Sequence, residues 1–246
     1  PFARAPVGAL RWRPPQPAQP WRGALDCGAT AALERAHVCP QVHADVAGAG
    51  VGVGVHLGSE DCLYLDVVAP SDSNSDSARA PVPVLVFIYG GAFELGDDNE
   101  FGLYNATALA EKTGLVVVTL SYRVGVFGFL ALDALAAEQP SHTTGNYGLQ
   151  DQRAALQWVQ RNIGAFGGDP TRVLAVGQSA GAASVTAHLV MPNSGAFCAY
   201  THPIFKPPGC PFSSCANKVN LSNGGDFNNG YGFISKRTSV STYIGL

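Results

Sequence analysis

The chain has 246 residues, of which 46% are hydrophobic and 13% are charged, so it is long and apolar enough to bury a sizeable core. A formal net charge of -3 and the absence of basic runs give no reason to expect nucleic acid or an anionic membrane surface as a partner. No apolar stretch reaches the roughly 18 residues that a membrane span needs, so we expect a folded protein without one.

The first third of the chain carries turn-forming residues rather than long periodic segments. Residues 1 to 60 are rich in proline and glycine, which predicts irregular structure with short antiparallel strands. Within them, Ala47 to Gly58 is a low-complexity loop of glycine and valine. Cys62 to Ala69 predicts a strand, and the polar run Ser71 to Ser77 predicts a surface connection of a hairpin.

Strands and helices then alternate along the chain. This alternation favours a mostly parallel sheet covered by helices on both faces. Leu149, Leu156, Val159 and Ile163 recur at helical spacing, which predicts a helix that buries one face on the sheet. The predicted elements are a strand at 83–88, a helix near 106–112, a strand at 115–121, a helix at 148–163, a strand at 172–176 and a helix at 182–190.

The turn between the last predicted strand and helix has the sequence Gly177-Gln178-Ser179-Ala180-Gly181. A G-x-S-x-G sequence in this strand-turn-helix context is typical of a nucleophile elbow, in which a strained turn exposes a serine hydroxyl above the sheet. The glycines at both ends leave the room that such a turn needs. Ser179 is therefore the candidate nucleophile, with Gly177, Gln178 and Gly181 forming the elbow around it.

A second loop could serve the same chemistry. The buried strand Val84 to Ile88 runs directly into Tyr89-Gly90-Gly91-Ala92-Phe93, a loop that is almost all backbone and can present N–H groups. When a nucleophile attacks an ester, the carbonyl oxygen becomes an oxyanion, and donors fixed around it stabilise the transition state. The predicted oxyanion donors are the N–H groups of Gly91, Ala92 and Ala180.

Together these segments resemble the type-B carboxylesterases, the family that includes the cholinesterases. The resemblance covers roughly residues 1 to 197 and implies the α/β-hydrolase fold, here the N-terminal half of its mostly parallel sheet with flanking helices. It also implies a serine esterase that acts on small-molecule carboxylic esters and uses no cofactor and no metal. The matching segments are 6–8 with 11–15, 59–65, 88–93, 121–125 with 127–130, and 145–146 through 166–170 to the elbow.

The chain departs from the family pattern at three places. Gln178 stands where the family usually has a glutamate, so the field beside the nucleophile is less negative. Ala92 replaces the third glycine of the oxyanion loop, which keeps the N–H but adds a methyl group on the substrate side. Residues 40 to 61 contain no aromatic residue, so the stacking site that cholinesterases use for a choline cation is not supported.

The rest of a catalytic triad is harder to place. In α/β-hydrolases the triad follows the chain order serine, acid, histidine. After Ser179 the histidines are His188 and His202, and the acid is Asp226, which no histidine follows. The order cannot be filled, so we expect this chain to lack the triad acid and histidine and to be a catalytically incomplete fragment. His188 is expected to be a packed or surface residue of its helix.

The residues from Cys198 to Leu246 lack clear periodicity and predict an aberrant, poorly ordered tail. Before this tail, the resemblance implies a disulfide between Cys39 and Cys62, which points to an oxidising compartment and hence to secretion or the endoplasmic reticulum lumen. Cys27 has no counterpart. Cys198, Cys210 and Cys215 lack the histidine pattern of a zinc site.

Two functions from different classes fit the sequence. The first is a serine ester hydrolase represented by its N-terminal half. The second is a non-catalytic cholinesterase-like binding or adhesion module, a branch of the same family in which the nucleophile is commonly lost. The presence of Ser179 and of both oxyanion segments favours the hydrolase.

Overall fold

A computed structural model describes residues 1–20, 38–42, 54, 56–71, 80–99, 106–191, 194 and 198–199. The chain divides into two compact units. The first unit comprises Pro1–Leu65, Phe93–Tyr104 and Leu120–Ala155, and the second comprises Asp66–Ala92, Asn105–Thr119 and Leu156–Leu246. Most of the predicted tail and of the polar run after Ser71 lies outside the described residues.

A five-stranded sheet with the order β3-β5-β4-β6-β7 is formed by the described strands of the α/β region. β4 pairs in parallel with β5 on one side and with β6 on the other, and β6 pairs in parallel with β7. The predicted mostly parallel sheet is therefore confirmed. The strands are β3 at Leu65–Val68, β4 at Val82–Ile88, β5 at Val116–Leu120, β6 at Gly168–Gly177 and β7 at Cys198–Ala199.

The apolar core follows from the strand sequences. β5 is buried at all five positions, as expected of a valine-rich strand in the interior of a parallel sheet. In β4, Val84, Val86 and Ile88 are buried and alternate with half-buried residues. β6 begins four residues before the predicted strand because its first residue, Gly168, pairs with Val82 of β4.

Among the described residues, the helices of eight or more residues are α1 at Ala106–Thr113, α4 at Tyr147–Asn162 and α5 at Ala180–Val190. In α4, Leu156 and Val159 are buried as predicted, whereas Leu149 is only half-buried. Asp151 and Gln152 are fully buried on this helix instead. None of the described helices has both the length and the apolar character that crossing a bilayer requires.

The first unit contains short elements. β1 at Gln41–Val42 and β2 at His56–Leu57 form an antiparallel pair, so the predicted glycine-valine loop contains a strand near its end. Two five-residue helices, α2 at Gly125–Phe129 and α3 at Asp133–Ala137, were not predicted. Neither of them has a side-chain N-cap, which removes the usual sequence signal for a helix start.

A buried ion pair joins separate segments of the first unit. Arg123 donates from Nε and Nη2 to the two carboxylate oxygens of Asp151, each at 2.7 Å, and from Nη2 to the Arg13 carbonyl at 3.0 Å. The backbone N–H of Arg123 also donates to Asp151 at 3.1 Å. Burial raises the pKa of the Asp151 carboxyl, and the Arg123 guanidinium acts against this by stabilising the charged form.

The predicted disulfide is formed between Cys39 and Cys62, with their Cα atoms 5.0 Å apart. Both cysteines are fully buried. Gly58 packs closely against the Cys39 backbone: a Cβ at this position would lie 2.6 Å from the Cys39 carbonyl oxygen, so no side chain fits there. Cys27, Cys210 and Cys215 lie outside the described residues.

Candidate active site

The turn from β6 to α5 is sharp and strained at Ser179. β6 ends at Gly177 and α5 begins at Ala180, so two residues reverse the chain. Ser179 has φ 50° and ψ -118°, a conformation that a residue with a side chain rarely adopts. The Gly181 N–H donates to the Gln178 carbonyl at 2.8 Å and closes the turn. This is the strained strand-to-helix geometry that the sequence predicts.

Two glycines of the elbow are required because backbones approach each other closely there. A Cβ on Gly177 would lie 2.6 Å from the Ala182 nitrogen, and one on Gly181 would lie 2.6 Å from the Tyr89 carbonyl oxygen. Real Cβ atoms essentially never come within 3.0 Å of such atoms. Any side chain at either position would therefore push the strand, the turn and the helix apart.

The Ser179 side chain is not used to stabilise its own helix. Ser179 occupies the N-cap position of α5, but its hydroxyl makes no capping hydrogen bond. A capping serine needs an extended backbone, and the positive φ of Ser179 removes that geometry. Ser179 is half-buried.

The predicted oxyanion loop follows β4 and has an unusual backbone. Gly91, Ala92 and Phe93 have successive φ values of 106°, 57° and 63°, and the left-handed region is costly for the two residues that carry side chains. Within the part of the chain that the structure describes, no hydrogen-bond acceptor pairs with the N–H of Gly91 or of Ala92. Ala92 is exposed.

Strand register brings the start of this loop to the elbow. Ile88, the last residue of β4, is the partner of Gly177, the last residue of β6, so both turns leave the same edge of the sheet. The Gln178 N–H continues the pairing by donating to the Ile88 carbonyl at 3.2 Å. Ligand sites of open α/β sheets lie outside this carboxyl edge.

Gly90 is a site residue that the motif alone did not reveal. A Cβ there would lie 2.6 Å from the Gln178 carbonyl oxygen and 2.9 Å from the Ser179 Cβ, and it would overlap with Gln178 Oε1. The loop thus packs directly on the elbow, with the neutral Gln178 amide against it. Ser179, Ala180, Gly90, Gly91 and Ala92 all belong to the second unit.

The histidines after the elbow differ in what the structure describes of them. His188 lies on α5, is 2% exposed, and its Nδ1 is 2.9 Å from the Ser194 hydroxyl. It follows Ser179 by nine residues, about 13 Å along a regular helix axis. His188 is therefore a packed helix residue, and His202 and Asp226 lie outside the described residues.

A sequence model of the carboxylesterase family matches residues 1–201. Among curated relatives, the fumonisin B1 esterase of Sphingopyxis macrogoltabida is 41% identical over 216 residues, which is 85% of this chain and 36% of that protein. The acetylcholinesterase of Electrophorus electricus is 42% identical over 198 residues, 79% of this chain and 29% of that protein. The para-nitrobenzyl esterase of Bacillus subtilis (strain 168) is 42% identical over 192 residues, 78% of this chain and 36% of that protein.

Solved structures give the same result. A thermophilic para-nitrobenzyl (PNB) esterase superposes with a TM-score of 0.65 at 42% identity, and the match covers 79% of this chain and 37% of that one. A second PNB esterase structure superposes with a TM-score of 0.64 at 42% identity. The fold is therefore that of the α/β-hydrolases, as predicted. The chain spans about a third of the length of the curated relatives described above.

Proposed function

Because the chain belongs to the carboxylesterase family, we propose that it carries the nucleophile and the oxyanion donors of a serine carboxylic-ester hydrolase. The observation that carries this proposal is the backbone of Ser179, whose φ of 50° and ψ of -118° hold an uncapped hydroxyl at the carboxyl edge of the sheet. A serine in an ordinary glycine-rich turn would not need this strain.

The proposed reaction begins when the Ser179 Oγ attacks the ester carbonyl carbon and gives its proton to a base. The electron pair of the carbonyl bond moves to its oxygen, which the N–H groups of Gly91, Ala92 and Ala180 stabilise. Collapse of this tetrahedral intermediate releases the alcohol, which takes up the proton, and leaves an acyl group on Ser179. Water then repeats the sequence and frees the carboxylic acid.

In our proposal, residues 1–246 do not provide the base that accepts the Ser179 proton. Serine is a poor nucleophile at neutral pH without one. His188 is buried against Ser194, and the acid Asp226 has no histidine after it in the chain. In this proposal the chain does not provide the acid and histidine of the triad, so the chain alone should be almost inactive.

The proposed substrate class is no narrower than carboxylic esters. Relatives named as a fumonisin B1 esterase, an acetylcholinesterase and a para-nitrobenzyl esterase are 41%, 42% and 42% identical to this chain. The chain is about equally similar to relatives that are named for different esters. The shared residues therefore support the ester-hydrolysis chemistry common to these relatives and do not identify the ester. The buried Cys39–Cys62 disulfide favours secretion or the endoplasmic reticulum lumen.

Chemical rescue tests the proposal on the chain as it stands. Hydrolysis of p-nitrophenyl acetate by the purified chain should equal that of Ser179→Ala, because no positioned base activates the hydroxyl. Added imidazole should supply a base and raise the rate of the wild-type chain above that of Ser179→Ala in the same buffer. Ser141→Ala, which alters an exposed serine paired with Thr143, should behave as wild type.

Two results would contradict this reading. Equal imidazole-dependent rates for the wild-type chain and Ser179→Ala would argue against an esterase nucleophile at Ser179. Turnover of about 1 per second or faster without imidazole, lost in Ser179→Ala, would show that the chain already contains its base.

A further inference from the structure

The segment that follows the oxyanion loop is held by a side chain from a distant part of the sequence. Gln41 Nε2 donates to the Gly96 carbonyl at 2.9 Å, and the Gly96 N–H donates to Gln41 Oε1 at 2.6 Å. The side-chain amide therefore pairs with both polar groups of one backbone residue, as a neighbouring strand would. Gly96 is buried and follows Ala92 by only four residues.

Gln41 is itself fixed in place. It lies in β1 and pairs with Leu57 of β2, and its Nε2 also donates to the Cys39 carbonyl at 3.1 Å. Cys39 is bonded to Cys62 and packs against Gly58. Because the same Nε2 is bonded to the Cys39 carbonyl, the Gln41 amide is held in one orientation toward Gly96.

The loop needs such support from its ends. Gly91, Ala92 and Phe93 all have positive φ, and the described residues offer no acceptor to the N–H of Gly91 or Ala92. Gly96 also has a positive φ, 111°, so its own backbone is permissive rather than stiff. One additional restraint is the Phe93 carbonyl, which accepts a hydrogen bond from the Gly125 N–H at 2.6 Å.

We propose that Gln41 is a positioning residue for the oxyanion loop: by fixing Gly96, it sets the course of the chain that presents the N–H groups of Gly91 and Ala92. Its role in catalysis rests on the proposed function of those amides, whereas its role in loop geometry does not. Gln41 touches no reacting atom and acts only through the backbone.

Amide NMR of the full chain tests the geometric part. Gln41→Met keeps the approximate length of the side chain and removes all three hydrogen bonds. We expect the Gly96 amide to exchange about 5- to 10-fold faster in this variant, and the Gly91 and Ala92 amide signals to shift. Gln41→Glu keeps an acceptor for the Gly96 N–H but loses both donations from Nε2, so it should restore Gly96 protection only in part and leave those signals between the Gln41→Met and wild-type positions.

A matched control is Gln16→Met, since Gln16 is exposed and its Nε2 donates to the Pro14 carbonyl at 3.2 Å. This variant should leave the Gly91, Ala92 and Gly96 signals unchanged. Unchanged exchange of Gly96 in Gln41→Met would overturn the proposal. So would faster exchange of Gly96 with unmoved Gly91 and Ala92 signals, because Gln41 would then hold Gly96 without positioning the loop. If Gln41→Met does not fold, signals of Gln41→Glu that fail to separate from those of Gln16→Met would overturn it equally.

The imidazole-rescued reaction provides the catalytic readout. If the loop amides stabilise an oxyanion, Gln41→Met should lower the rescued kcat about 5- to 10-fold with little change in KM, and Gln41→Glu should recover part of the loss. An unchanged kcat alongside shifted Gly91 and Ala92 signals would overturn the catalytic role of Gln41. Absence of any Ser179-dependent rate in the wild type would instead count against the esterase proposal, and the NMR data would still decide the loop geometry.

Discussion

Each of the two units is stabilised internally by a different kind of contact. In the second unit, the strand, loop and helix around Ser179 meet backbone to backbone at Gly90, Gly177 and Gly181, where no side chain fits. In the first unit, distant segments are joined through side chains, by the Cys39–Cys62 disulfide and by the buried pair of Arg123 and Asp151. The elbow region should therefore be damaged by adding atoms, and the first unit by removing them.

The largest effect is expected from breaking the buried ion pair. Arg123→Met would leave the Asp151 carboxylate fully buried without its guanidinium, and should lower the free energy of unfolding by about 3–5 kcal/mol. The measurement is urea denaturation followed by circular dichroism. Arg13→Met is the matched control, because its partner Glu138 has a side chain that is 51% exposed, and should cost less than about 1 kcal/mol. Equal losses of stability in Arg123→Met and Arg13→Met would show that the buried pair does not stabilise the first unit more than an exposed one.

Addition of a single methyl group tests whether close backbone packing around Ser179 stabilises the second unit. Gly181→Ala would place a Cβ 2.6 Å from the Tyr89 carbonyl oxygen and should destabilise the protein by about 1–3 kcal/mol. Gly164→Ala is its control, since a Cβ at Gly164 has no heavy atom within 4 Å, and should change stability by less than about 1 kcal/mol. The same denaturation assay serves, and a well-tolerated Gly181→Ala would show that the elbow can relax.

The smallest effect is expected from a side-chain cluster at the surface of the second unit. A hydrogen bond from the Thr171 hydroxyl, at 2.7 Å, is the main reason that the pKa of Asp169 is lowered. A lowered carboxyl pKa stabilises the fold above the unfolded-state value, about 3.9, and this contribution is lost as pH falls through the folded-state pKa.

Thr171→Val should therefore be less stable than wild type at pH 6, and the difference should shrink as the pH is lowered below about 4. Thr171→Ser keeps the hydroxyl and should follow the wild type. Urea midpoints measured across this range provide the test. A difference that stays constant with pH would assign the effect to the exchange of a hydroxyl for a methyl group at residue 171 rather than to the Asp169 carboxyl.

The sequence predicted best those features that depend on local pattern. β4 and β5 were found because Val84 to Ile88 and Val116 to Leu120 are continuous apolar runs. The sharp turn at Ser179 was expected because the G-x-S-x-G motif is typical of a strained strand-to-helix turn, whereas the role of Ser179 as nucleophile stays a proposal. α2 was missed because Gly125 and Gly128 break any helical pattern and no side chain caps its start.

Features that depend on pairing between distant residues could not be predicted. The contact of Gly90 with Gln178 follows from the register of Ile88 with Gly177, which no local pattern encodes. Asp151 and Gln152 broke the apolar face expected of α4, since a buried acid is tolerated only where a partner such as Arg123 is present. The link between Gln41 and Gly96 likewise joins residues 55 apart in the chain.

The uncapped start of α5 has a consequence for the order in which the molecule folds. Without a capping hydrogen bond at Ser179, and with Gly181, Val185 and Thr186 among its eleven residues, the helix is a poor former in isolation. Seven of those residues are buried, so the helix gains its stability from packing. It should consequently form only after β4 and β6 have paired, so we expect the strained turn at Ser179 to form late in folding, after the sheet.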